Sequence, residues 1–124
     1  MSEFNMTIKP VAALSGPVLD WAVAEVEGIT CHTSAGCVLT DRIICDNDGL
    51  EWEEEYSPST DWSQGGPIIE REVIWLTTTG TFGPPWKAEM QNATAYGPTP
   101  LIAAMRAYVL EKWGDELYVP NELL

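Results

Sequence analysis

The side chains best suited to chemistry lie between residues 31 and 72 of this 124-residue chain. Cys31-His32, Cys37 and Cys45 put thiolate and imidazole ligands in a short span, which zinc accepts when a fourth ligand closes the tetrahedron. Their spacing matches no common zinc pattern. There is no CxxC pair and His32 is the sole histidine, so buried or incidental cysteines are the plainer reading and no metal is expected. A thiol nucleophile would need an imidazole within hydrogen-bond reach. Residues 31 and 32 point apart in a strand, which leaves Cys37 with His32 as that pair. Asp46, Asp48 and Glu51 look superficially like a calcium loop but lack its alternating ligands, central glycine and closing glutamate. Glu53, Glu54, Glu55, Asp61, Glu70 and Glu72 could supply a general-acid pair, although acidic residues are so abundant that their proximity means little. No P-loop, GxGxxG, GxSxG or HExxH is present, and the expectation is a non-enzyme without cofactor.

The strongest concentration of recognition chemistry is the aromatic segment Tyr56 to Glu72. Tyr56, Trp62 and Trp21 offer flat faces, and Ser57, Asp61 and Gln64 offer hydrogen bonds. Gly65-Gly66 lets a backbone or ligand approach closely ahead of a helix N-terminus. Such a set suits a nucleobase and a phosphate. The alternative is that Tyr56 and Trp62 anchor the core while Asp61 or Ser63 caps the turn. Arg71 and Arg106, two of only six basic residues, could hold an anionic ligand, or pair with Glu72 and Glu111.

Charge limits the partners. Nineteen acidic against six basic residues give a formal net charge of −13 and a pI near 4.1. Direct nucleic-acid binding is disfavoured, because it depends on clustered Lys and Arg displacing counterions. The charge either serves solubility or lets the protein cover a basic surface, as a duplex mimic would.

The elements that must position these residues read as one domain over 1–124, with Met1–Met6 as an extension. Ser15 caps a helix with Pro17 in its first turn; Leu19, Ala22, Val23 and Val26 form its buried stripe, and Gly28 ends it. Trp21 lies off that stripe and must meet another element or a ligand. Val38-Leu39 and Arg42–Cys45 read as short strands, Asp46–Gly49 as a turn, and Glu51–Glu55 as a solvated stretch or an edge strand with Trp52 inward. Pro67 opens a short helix over Ile68–Glu72. Val73–Thr79 and Trp86–Met90 then form a hairpin about the Gly80–Pro85 turn. Thr99 as N-cap and Pro100 at N1 begin the clearest helix, with Ile102, Met105, Val109 and Trp113 on one face and Gly114 in the left-handed closing position. The apolar tail Tyr118-Val119-Pro120 and Leu123-Leu124 packs back. The fold class is α+β: a small antiparallel sheet covered on one face by two main helices and one short helix.

Leu19-Asp20-Trp21-Ala22-Val23-Ala24, the Tyr56–Glu72 segment and Gly97-Pro98-Thr99-Pro100-Leu101-Ile102-Ala103-Ala104-Met105-Arg106 together resemble the small NinX-like proteins of phages and prophages. The resemblance covers most of 14–74 and 96–124; residues 29–55 carry no quotable motif. It implies a phage or prophage accessory protein and brings no reaction with it. With no signal segment, no bilayer-length apolar run and three cysteines, the chain is expected in the cytoplasm of a bacterial host, with no membrane partner and with the Asn92-Ala93-Thr94 sequon irrelevant. Three functions follow: sequestration of a small anionic aromatic, nucleotide-like ligand such as a host-defence signal; acidic inhibition of a basic host protein; or metal or thiol catalysis on Cys31, His32 and Cys37. Homo-oligomerisation is compatible with each.

Overall fold

The computed structural model describes residues 5–45, 47–80 and 82–124, with the backbone alone for 41–45. Most of the expected N-terminal extension, the first residue of the Asp46–Gly49 turn and the Cys45 side chain lie outside the described residues.

Strand β1 (Met6–Pro10) runs antiparallel to the last strand, β8 (Glu116–Pro120), in register from Met6↔Pro120 to Pro10↔Glu116. The tail therefore packs back as a strand, burying Leu117 and Val119. A 3-10 turn at Val11–Ala13 leads into α1 (Gly16–Glu27). Pro17 sits in its first turn, and Gly28, at φ 73°, closes it by donating to the Ala24 and Glu25 carbonyls. Leu19, Ala22 and Val23 are buried as expected and Val18 is buried with them; Val26, expected on the same stripe, and Trp21 are partly buried against the core.

β2 (Cys31–Ser34), β3 (Cys37–Cys45) and β4 (Glu51–Glu55) form an antiparallel sheet in that order. Ala35 and Gly36, both at positive φ, make the two-residue turn that matches hairpin twist. The two short strands expected over 38–45 are one strand, bent by a register shift between Leu39 and Ile43. Glu51–Glu55 is an edge strand, but Trp52 is half exposed rather than inward.

Helix α2 spans Trp62–Glu72, beginning five residues before the expected Pro67 start. Asp61 makes this possible by accepting hydrogen bonds from Ser63 N at 2.9 Å and Ser63 Oγ at 2.6 Å. Pro67 then lies inside the helix, and Gly66 before it lacks the Cβ that would clash with the proline ring. Val73, expected to begin a strand, instead closes α2 in the left-handed region at φ 52°.

β5 (Trp75–Thr78), β6 (Trp86–Glu89) and β7 (Thr94–Gly97) form the third sheet, the expected hairpin plus a strand not foreseen. Its inner face carries Leu76, Ala88, Ala95 and Trp86 against α3 (Pro100–Trp113). Thr99 Oγ1 accepts from Ile102 N at 3.1 Å, the expected cap. Met105 and Val109 are fully buried, but Trp113 is 46% exposed, because α3 is the central helix and buries small residues, Ala103, Ala104 and Ala107, nearly all round. Gly114 ends it at positive φ, though with ψ −170° rather than in the left-handed well. The mixed α+β class with antiparallel pairing stands; the strands are shared among three small sheets packed about α1, α2 and α3. No helix among the described residues is long and apolar enough to cross a membrane.

Candidate functional site

The aromatic segment is held internally. Tyr56 is buried, its N–H donating to Val38 O at 2.8 Å, and burial pushes its phenol pKa up. Gln64 works as a clamp: its Oε1 accepts from Ser57 N at 2.6 Å, and its Nε2 donates to Glu55 O at 2.9 Å and Glu54 Oε1 at 3.1 Å. Asp61 caps α2. A Cβ on Gly65 would lie 2.4 Å from Pro58 O and 2.6 Å from Leu101 Cδ2, so this glycine allows helix and loop to touch. Gly66 is open, with only Trp62 Cε3 near, at 3.8 Å. Below the loop, Asp20, 4% exposed, accepts from Ser59 N at 2.8 Å. Burial raises its carboxyl pKa to about 6 against the opposing effect of that bond. Trp62 alone of the expected aromatics is well exposed, at 54%, lining a cleft of about 200 Å³ with Ser59, Thr60 and Thr99–Ile102.

The two arginines serve the fold. Arg71 meets Glu27 through a bidentate fork, 3.1 and 2.6 Å, donates from Nε to Glu72 at 2.8 Å, and from a terminal nitrogen to Tyr108 Oη at 3.0 Å. Tyr108 Oη donates to Glu27 Oε2 at 2.5 Å, and Lys112 approaches Glu72 at 3.3 Å. The Arg71 hydrogen bond holds the Glu72 carboxyl below the ordinary range. These groups line an open cleft of about 520 Å³ with Glu25, Val26 and Trp113, separate from the one beside Trp62. Every guanidinium nitrogen of Arg71 already faces a protein acceptor. Arg106 donates to Leu14 O and Tyr96 O, each at 2.7 Å, stapling the entry of α1 to β7. Its alternative partner Glu111 accepts from Asn92 N at 2.9 Å instead. The ten residues proposed as one site are thus brought together only in part: Ser57, Gln64 and Gly65 tie the loop, while Arg71 and Arg106 lie in separate networks.

On the β2–β4 sheet, His32 Nε2 lies 2.9 Å from Glu53 Oε2. The Glu55 carboxylate pushes the Cys37 thiol pKa up, the opposite of what activates a nucleophile. Cys31 packs partly buried against the core. Among the described residues no three His, Cys, Asp or Glu side chains converge on a metal-sized point.

Sequence reading passed over the outer face of the β5–β6–β7 sheet. Cross-strand register puts Trp75, Thr77, Lys87, Glu89, Thr94 and Tyr96 there. Trp75 is 68% exposed and Phe82, in the hairpin turn, wholly so. With Trp52, Trp62, Tyr96, Trp113 and Tyr118, this makes seven large aromatic side chains among the described residues that are about half exposed or more, on a chain of net charge −13. The available signal was the alternation of Trp75 with Leu76 and of Tyr96 with Ala95, which needs the pairing of β7 to be seen.

No curated protein sequence matches the chain. The family model described as Bacteriophage P22, NinX matches residues 10–112, running through α1, the Tyr56–Glu72 segment, the residues 29–55 that carried no quotable motif, and nearly all of α3. By that match, which takes in most of its length, the chain belongs to the phage NinX family.

Proposed function

We propose that this phage accessory protein is a non-catalytic binder of a basic protein of its host. The observation that carries the reading is the pairing of seven exposed aromatic side chains among the described residues with a net charge of −13. Aromatic residues are enriched at protein interfaces, and a strong field of one sign steers oppositely charged partners. Asp20 is the one buried carboxylate among the described residues, so the acidic charge stands at the surface. The pairing of Arg71 with Glu27 and Glu72 and of Arg106 with backbone carbonyls supports the same reading, since the donors expected to hold an anionic ligand already face protein acceptors.

A second reading, sequestration of a small ligand, is favoured by one feature: exposed Trp62 beside the cleft at the start of α3. A thermal-shift screen with nucleotides separates the two, because a ligand of the native state raises its melting temperature. The protein-binding reading expects no nucleotide to stabilise the fold, and expects a captured host protein of basic pI that dissociates as salt is raised. A nucleotide that stabilises the native protein but not Trp62→Ala would transfer the function to the small-ligand reading.

A further inference from the structure

Among the described residues no helix or strand packs over the outer face of the β5–β6–β7 sheet, and its two clefts differ in chemistry. One, about 530 Å³, is walled by Phe82, Pro84, Tyr96, Lys87 and the threonines Thr77–Thr79. The other, about 270 Å³, is walled by Val73, Trp75, Glu89, Met90 and Gln91. The first joins the apolar surfaces of Phe82, Pro84 and Tyr96 to threonine hydroxyls and the Lys87 side chain, and the second sets a carboxylate beside an exposed indole. Lys87 and Glu89, paired at 3.5 Å, stand between them on β6, one in each cleft. Being two residues apart on one strand, they are about 7 Å apart along it. That is also the spacing of successive same-face side chains in any extended chain lying along β6.

We propose that this face docks an extended segment of a basic protein, with an arginine in the Trp75–Glu89 cleft and an apolar side chain two residues away in the Phe82–Tyr96 cleft. The proposal rests on the protein-binding reading and supplies its surface. A guanidinium meets there both partners it favours, a carboxylate and an aromatic face. Glu89 is free to exchange its lysine for an arginine, because its present bond is long and half exposed. Charge selects the occupant. A second copy of this chain would bring another −13 against the first. Four residues by three strands present about 200 Å² in projection, well short of the roughly 800 Å² per partner of a stable dimer, and suited to one segment of chain.

The test is a titration of the intact protein with acetyl-Arg-Thr-Val-Thr-Arg-Thr-Val-amide, which alternates arginine and valine on one face, beside its counterpart with glutamate for arginine. Binding is followed by amide and indole NMR shifts. The expected result is binding of the arginine peptide only, weakened by salt, with shifts at Trp75 and along β5–β7. Trp75→Ala, Tyr96→Ala and Glu89→Gln should each weaken it about tenfold or more without lowering the melting temperature, and Trp52→Ala and Trp62→Ala should leave it unchanged. Salt-sensitive shifts confined to the β2–β4 sheet would overturn the docking face while keeping the protein-binding reading. Absence of binding, or equal binding of the glutamate peptide, would overturn both. Preferential binding of an oligodeoxythymidylate, or a Trp75-dependent dimer in sedimentation, would replace the occupant and so overturn the proposal.

Discussion

Replacing Asp20 by asparagine should stabilise the protein at neutral pH. Asp20 is 4% exposed, and its carboxyl pKa rises from 3.8 to about 6, mainly because burial disfavours the charged form. A raised carboxyl pKa means that the native state binds a proton the unfolded chain has released. Its favourable contribution is therefore complete below about pH 4 and lost as pH rises through about 6. At neutral pH the native protein carries the full cost of an ionised buried carboxylate, a shift of about two pKa units at 1.36 kcal/mol each, or about 3 kcal/mol. Asparagine keeps a carbonyl acceptor for Ser59 N and cannot ionise. Asp20→Asn should thus gain about 2–3 kcal/mol at pH 7, raising the melting temperature by on the order of 10 °C for a domain of this size. The gain should vanish near pH 4, where both side chains are neutral. Asp20→Ala, which also cannot ionise but leaves Ser59 N–H unpaired, should lie about 1–3 kcal/mol below Asp20→Asn at either pH. Calorimetric melts of the three proteins at the two pH values decide it. A gain that does not depend on pH, or an Asp20→Asn protein less stable at neutral pH, would refute the assignment of a buried ionised carboxylate.

Other substitutions test the packing. Met105, fully buried at the centre of α3, cannot accept a charge, and Met105→Asp should leave the chain unfolded by circular dichroism; an unchanged melting temperature would refute the core assignment. Gly65→Ala forces a methyl within 2.4 Å of Pro58 O and should cost about 1–3 kcal/mol in a denaturant titration, and an unchanged midpoint would refute the close approach. Val73 holds φ 52° with its side chain 68% exposed, so Val73→Asn should gain about 0.5–1 kcal/mol in denaturant titrations, and a loss would show that its methyl groups pack more than its exposure implies.

What could be read from the sequence was local. Thr99-Pro100 and Pro17 with Gly28 mark helix ends through chemistry contained in a few residues, and α1 and α3 lie where those signals put them. The start of α2 was obscured because Gly65-Gly66-Pro67 reads as a helix breaker, while the Asp61 cap and the missing Gly66 Cβ let the helix run through it. Cys31–Ser34 and Thr94–Gly97 are too short and too poor in branched apolar residues to announce strands; only pairing with β3 and β6 makes them so. The candidate site was least legible. The Arg71–Glu72 pair, between neighbours, was open to sequence reading, but the further partners Glu27 of Arg71 and Leu14 of Arg106 lie 44 and 92 residues away, so the sequence near either arginine does not show that its remaining donors are engaged.

The most direct test of the central claim is isothermal titration of the wild-type protein with the arginine–valine peptide and, separately, with adenosine monophosphate. A binder of basic protein surfaces whose arginines are engaged internally should take up the peptide, lose affinity for it as salt is raised, and give no heat with the nucleotide. Heat with adenosine monophosphate that disappears in Arg71→Ala, together with none from the peptide, would contradict it.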